Sequence, residues 1–247
     1  MTIAKNKLIV ALDVDSAAHA LDLFETLRDV VGMFKIGSQL FTAAGPDIVR
    51  QIVARGGRVF LDLKFHDIPN TVAAAGVEAT RLGVSIFNVH ASGGAEMMKR
   101  TAAAVAEIAN REALTRPEVI AVTLLTSLDQ KSLELIGVKD ELSSMVARLA
   151  RSAADCGLDG VVSSPREIRL IRETISQEFL IVTPGIRSSN DANDDQKRTL
   201  TATEAIRAGA DYLVVGRPIL NAEDPVAAAE RVVAEIDSAL LQSAPPF

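Results

Sequence analysis

The segment Leu61-Asp62-Leu63-Lys64-Phe65-His66-Asp67-Ile68-Pro69-Asn70-Thr71 sets two carboxylates and an ammonium close together along the chain. It closes an apolar run, Arg58-Val59-Phe60-Leu61, that reads as a buried strand. Asp62 and Lys64 are two apart, so on a strand they share a face. Asp67 follows just past the strand's end. Charges at the rim of a buried strand are costly to desolvate unless they pair. Such a line is either a structural ion-pair ring or a catalytic network. With Asp13 and Lys35 added, opposite signs can alternate along it. At ~4 Å and an effective dielectric near ~20, one such contact is worth roughly 4 kcal/mol before desolvation. That keeps a partly buried lysine protonated. A fixed ammonium can stabilise a developing carbanion and then protonate it, while a neighbouring carboxylate repels an anionic group on the substrate.

Two other stretches could hold an anion. In Val214-Val215-Gly216-Arg217-Pro218, glycine lets the backbone approach a ligand, a following helix start offers N–H donors, and Arg217 adds a bidentate charge. A plain strand-to-helix turn with a surface arginine would read the same way. The polar loop from Ile186 to Leu200 follows Pro184-Gly185 and carries Arg187 and Gln196, both able to donate to an anion. Loops of this length are usually lids or binding loops; the alternative is an exposed insertion. His19, His66 and His90 show no metal-ligand spacing. His19 belongs on a helix surface, while His66 and His90 can line the mouth of the site. Asp15 is better read as a helix cap before Ser16-Ala17 than as a metal ligand beside Asp13.

The elements that must position these groups alternate along the chain. Strands are expected at 7–13, 33–37, 57–64, 85–90, 118–124, 159–163, 179–183 and 211–215. Helical patterns run over 17–31, 39–54, 72–82, 95–110, 142–156 and 166–176. A last helix begins with Asp224 as N-cap and Pro225 at its first position. Gly32, Gly56, Gly83, Gly157 and Gly209 precede strands, where helix C-caps belong. Eight βα units in 247 residues is the arithmetic of a single (β/α)₈ barrel domain, 1–247. An open doubly wound sheet is the alternative, disfavoured because no GxGxxG follows the first strand. A barrel puts its active site at the strands' C-terminal ends. Polar residues collect there: Asp13, Lys35, Asp62, Lys64, Asn88, His90, Thr123, Thr126, Ser163, Ser164, Thr183 and Gly216-Arg217. That convergence favours a catalytic network over a structural ring.

The bulk numbers bound the function. The chain is 48% hydrophobic, enough for a large core. Net charge is −6 and pI about 5.2, which argues against nucleic-acid or anionic-membrane partners but not against a small anionic substrate. No apolar run reaches the ~18 residues of a membrane span, and Leu8–Leu12 is too short for a signal-peptide core. Cys156 is the sole cysteine, which leaves no internal disulfide. A soluble cytoplasmic protein is expected.

Asp62-x-Lys64-x-x-Asp67-Ile68-Pro69-Asn70-Thr71, with Lys35 upstream and Pro184-Gly185-Ile186-Arg187 and Gly216-Arg217-Pro218 downstream, resembles the orotidine 5′-phosphate decarboxylases in their bacterial form. The resemblance runs from about residue 8 to 240. It implies a cofactor-free barrel homodimer that makes UMP in pyrimidine synthesis, with no metal. It implies that Lys64 protonates carbon 6 of the pyrimidine after CO₂ is lost and that Asp62 lies against the leaving carboxylate. Lys35 and Asp13 would hold the ribose hydroxyls and the network. Asp67 and Thr71 would reach into the partner subunit's site, so that each active site is shared. Thr126 would contact the base or its near loop, and Arg187, Gln196, Gly216 and Arg217 the phosphate. Read without the resemblance, the residues give a phosphate-binding barrel with a lysine-centred site, and they name neither orotate nor a subunit crossing. Two rivals fit the same scaffold: a metal-dependent phosphosugar decarboxylase or epimerase, and a non-catalytic nucleotide-phosphate binding barrel. Relatives of the first kind are expected to carry a carboxylate where this chain has Lys35.

Overall fold

Short β-branched runs form eight parallel strands: β1 (Leu8–Ala11), β2 (Met33–Gly37), β3 (Val59–Phe65), β4 (Ile86–His90), β5 (Glu118–Val122), β6 (Gly160–Val162), β7 (Leu180–Pro184) and β8 (Tyr212–Val215). Each pairs with the next, and β8 pairs with β1 in the register Ile9↔Val214. The sheet is therefore a closed (β/α)₈ barrel, and the open-sheet alternative falls. The structure, a computed structural model, describes residues 3–186 and 200–243. Arg187 and Gln196 lie outside the described residues. β2 occupies its expected span, and every other strand boundary lies within two residues of its expected place.

Period-two alternation separates two apolar layers. Ile9, Met33, Phe60, Ile86, Ile120, Val162, Val182 and Val214 pack on one another and fill the barrel. The intervening Val10, Phe34, Leu61, Phe87, Val161, Ile181 and Leu213 join the surrounding helices in the outer core. Burying a side chain such as Phe60 or Phe87 contributes about 2–3 kcal/mol. Along the inner face the apolar filling gives way to charge near the strands' C-terminal ends. Ile9 leads to Asp13, Met33 to Lys35, Phe60 to Asp62 and Lys64, and Ile86 to Asn88.

Several expectations are corrected. The single helix over 39–54 is two, Ser38–Ala44 and Asp47–Ala54. Gly45 at φ +67° and Pro46, which has no N–H to continue the ladder, separate them. The first long helix ends at Leu27, and Gly32 is not its C-cap. Gly32 is there for close approach, since a Cβ would lie 2.6 Å from Asn6 Cα and from the Lys5 carbonyl oxygen. Ser16, not Asp15, caps that helix, its hydroxyl accepting from the His19 N–H. The segment expected as helix 166–176 starts as a 3₁₀ turn, Pro165–Glu167, before Ile168–Thr174. Asp224 does cap the last helix, Pro225–Ser243, accepting from Ala227 N–H at 3.0 Å. Cys156 is buried at the end of helix Leu142–Asp155.

Candidate active site

A cavity of about 490 Å³ opens at the C-terminal ends of the strands. Its floor is the top of the barrel filling: Ala11, Phe60, Val122, Val162 and Val214. Its wall carries Asp13, Lys35, Gln39, Asp62, Lys64, Thr126, Gly216 and Arg217. Of the polar strand-end residues, Thr123, Ser163, Ser164 and Thr183 are buried and do not line it. The Thr123 hydroxyl donates to the Val162 carbonyl, the Ser163 hydroxyl donates to the buried Glu167 carboxylate, and Ser164 forms a capping box with Glu167. Those three belong to the scaffold, while the buried Thr183 Oγ1 has no hydrogen-bond partner among the described residues.

Charge alternates across β1, β2 and β3. Lys35 Nζ lies 2.9 Å from Asp13 Oδ1 and 3.5 Å from Asp62 Oδ2. Lys64 Nζ lies 2.7 Å from Asp62 Oδ1. Lys35 and Asp62 are buried, 8% and 9% exposed. Two charges so enclosed persist only when paired, and each is. Asp13 and Lys64 are more open, so the row runs from solvent into the barrel and back out. Gly37 leaves room for it: a Cβ there would lie 3.0 Å from Lys35 Nζ.

Lys64 departs from strand geometry. Its φ is +55°, and the β3–β4 register shifts between Leu61 and Phe65. A left-handed backbone costs a side-chain-bearing residue about 1–2 kcal/mol. The bend is held by Asn88 on β4, fully buried, whose Oδ1 accepts the Lys64 N–H at 2.8 Å. The same amide's Nδ2 donates to Asp62 Oδ1 at 2.6 Å. His90, two residues on, is half-buried, its ring centroid 5.3 Å from that of exposed His66. Burial, then His66 and Lys64, hold the His90 imidazole below its ordinary value against an opposing pull from Asp62. That direction disfavours a third cation beside Lys64.

The structure brings together Asp13, Lys35, Asp62, Lys64, Thr126, Gly216 and Arg217. It does not place Asp67 in the charged row of its own chain: Asp67 is exposed and its Oδ1 accepts the Ile68 N–H at 2.6 Å. Thr71, in the first turn of helix Pro69–Arg81, is exposed as well. The segment after Gly216 is one short helix, Arg217–Leu220. Gln39 and Gly37 were given no role from the sequence, and Asn88 was grouped with the polar strand ends without a specific one. Gln39 carried a weak signal, two residues past β2 and in phase with Lys35. Gly37 carried none, and the signal for Asn88 was only its place as a polar residue near a strand end.

The row can hold an anionic substrate against two ammoniums, press a carboxylate toward it and deliver a proton from Lys64. Among the described residues no group of three or more His, Cys, Asp or Glu side chains is set to hold a metal ion. No described helix is long and apolar enough to cross a membrane.

Residues 6–232 match the orotidine 5′-phosphate decarboxylase / HUMPS family. A protein of Geobacter sulfurreducens named orotidine 5′-phosphate decarboxylase is 56% identical over 234 residues, covering 94% of this chain and 97% of its own. One of the same name from Moorella thermoacetica is 54% identical over 235 residues, covering 95% and 93%. The crystal structure of orotidine 5′-phosphate decarboxylase from Lactobacillus acidophilus superposes with a TM-score of 0.82 at 36% identity, covering 93% of this chain and 98% of that one.

Proposed function

The chain belongs to the orotidine 5′-phosphate decarboxylase / HUMPS family, and from that premise we propose that it is a carboxy-lyase converting orotidine 5′-phosphate to UMP and CO₂. The observation that carries the reading is the row Asp13–Lys35–Asp62–Lys64 at the wall of the barrel-top cavity.

The substrate's phosphate would lie by Gly216 and Arg217, and the resemblance assigns Arg187 and Gln196 to the phosphate as well. Asp13 and Lys35 would take the ribose hydroxyls, and Thr126 the edge of the base. The substrate carboxylate would then face Asp62, already held by Lys35, Lys64 and Asn88 and so unable to swing away. Repulsion between two carboxylates raises the bound ground state, and it vanishes as CO₂ departs. The C6–CO₂ bond breaks and leaves its electron pair on carbon 6, where the Lys64 ammonium stabilises it. Lys64 gives one proton to carbon 6 and recovers one from solvent. The charge balance needs no metal or cofactor.

The same reading makes the protein a cytoplasmic, single-domain homodimer with Asp67 and Thr71 completing the partner's site. Their exposure, and that of Ile68 between them in sequence, is what such a contact requires. The test is direct. Orotidine 5′-phosphate is mixed with the purified protein, and loss of absorbance is followed together with UMP by chromatography. Stoichiometric UMP supports the reading. Binding without turnover would make this a nucleotide-phosphate binding barrel, and turnover restricted to a phosphosugar acid with Mg²⁺ would make it the metal-dependent lyase.

A further inference from the structure

We propose that Asn88 is a positioning residue for this reaction, fixing Lys64 and Asp62 relative to each other through the two ends of one amide. This rests on the reading above and adds a residue to it. Asn88 sits on the inner face of β4, fully buried, with Lys64 and Asp62 across the β3–β4 seam. The orientation of its amide is set by chemistry. A backbone N–H needs an acceptor and a carboxylate needs a donor, so Oδ1 must face Lys64 and Nδ2 must face Asp62. The two bonds, 2.8 Å and 2.6 Å, span the point where the ladder breaks.

That break is where Lys64 takes φ +55°. At that φ its N–H is aimed out of the regular ladder. Without Asn88 it would be an orphan donor beside a strained residue, and Lys64 would relax toward ordinary strand geometry. Its ammonium would then move relative to Asp62. The donation to Asp62 Oδ1 acts on the other partner. That oxygen also meets Lys64 Nζ, so the amide fixes the carboxylate plane from a second direction. Asn88 does not line the cavity, so it acts through these two residues and not on substrate. A displacement of an ångström at the reacting groups costs about 10²-fold in rate.

The experiment compares Asn88→Ala and Asn88→Thr with the wild type. Threonine keeps a strand-forming shape of similar bulk, but its hydroxyl sits on Cβ, one bond short of the amide's oxygen and nitrogen, and cannot reach both partners at once. Three quantities are read: kcat and KM for orotidine 5′-phosphate, UMP affinity by calorimetry, and exchange of the Lys64 backbone amide by NMR. The expected result is a kcat lower by about 100-fold, UMP affinity within a few-fold of wild type, and faster exchange at Lys64, in both variants. A kcat close to wild type, or kcat and UMP affinity falling in step with Tm, would reduce Asn88 to a structural residue and overturn the proposal. Amide exchange at Lys64 is read without turnover. If the wild type does not decarboxylate the substrate, the functional reading fails on its own, and unchanged exchange in both variants still refutes the Asn88 bond.

Discussion

Lys64 Nζ lies 2.7 Å from Oδ1 of Asp62, the residue two before it on the same strand. On a regular strand two such residues stand side by side, ~6.6 Å apart along the chain. Here the left-handed turn at Lys64 brings the ammonium back onto its own neighbour. The pair is local in sequence, yet its geometry depends on β4, because β4 holds the turn. Asp62 is the buried member and Lys64 the more open one, 34% exposed at the side chain. The carboxylate is thus the fixed post, and the ammonium can lean from it into the cavity.

Substitutions at position 64 should therefore separate chemistry from backbone strain. Lys64→Ala and Lys64→Gly both remove the proposed proton donor, and turnover should fall by far more than tenfold, ~1.4 kcal/mol of barrier. Their stabilities should differ. Glycine adopts φ +55° freely, whereas alanine keeps the penalty, so Lys64→Gly should be the more stable by about 1 kcal/mol. Denaturant melts of the two variants check this. Equal stability would mean that the strand straightens once the ammonium is gone.

Chelation should leave activity unchanged. Lys35 places its ammonium between Asp13 and Asp62, where a divalent ion would need both carboxylates free. Turnover measured after dialysis against EDTA should match the untreated enzyme. Activity that collapses and returns with Mg²⁺ would favour the metal-dependent rival.

The barrel was legible because alternation is local. Runs such as Ile9-Val10-Ala11 or Phe60-Leu61-Asp62 alternate between two apolar layers, and the phase carries on into Asp13 and Lys64. What the alternation hides is any departure from it. Nothing near Lys64 signals a positive φ, since lysine is a poor residue for one; the cause is a side chain 24 positions away. Asn88 reads as one polar residue in an apolar strand, equally at home as a satisfied core amide. Strand-end position alone misled. It grouped Ser163 and Thr183 with the site, although alternation from the inward-facing Val162 and Val182 turns them toward the helices. Asp67 lies past the strand, where parity no longer says which way a side chain points.

Glu118 offers a stability test away from the site. It opens β5 at the opposite end of the barrel, and its Oε2 is buried with no hydrogen-bond partner among the described residues. Burial first, then Asp159, push its carboxyl above the ordinary value near 4.5, with Arg58 and Arg116 pulling the other way. A raised carboxyl binds protons on folding, so its ionisation subtracts stability as pH rises above 4.5. Glu118→Gln should therefore raise Tm at pH 7. The gain should shrink on acidification and disappear below the ordinary value, where both states are protonated. A lower Tm at pH 7 would mean that Arg58 and Arg116 outweigh the burial cost.

Arg217→Ala should raise KM and lower kcat/KM by about 10–100-fold, the worth of one charged hydrogen bond to a phosphate. The phosphate is remote from carbon 6, but its binding energy can be used to position the base. Unchanged kinetics would place the phosphate elsewhere and leave the Gly216-Arg217 turn a structural feature.

Subunit mixing tests the shared site. Lys64 is on β3 and lines its own cavity, while Asp67 is exposed beyond the strand, at the entry to helix Pro69–Arg81. Pro69 limits how far that segment can fold back. In a two-fold dimer contacts are reciprocal, so each Asp67 would enter the other subunit's mouth. Homodimers of Lys64→Ala and of Asp67→Ala should then both be nearly inactive. In a mixed dimer one site collects both defects and the other collects neither. Activity per mixed dimer should therefore return to about half the wild-type value, the share of one intact site in two. Exchange is verified by mass. If mixed dimers form and stay inactive, Asp67 acts within its own chain, and the outward path beyond Phe65 has another purpose.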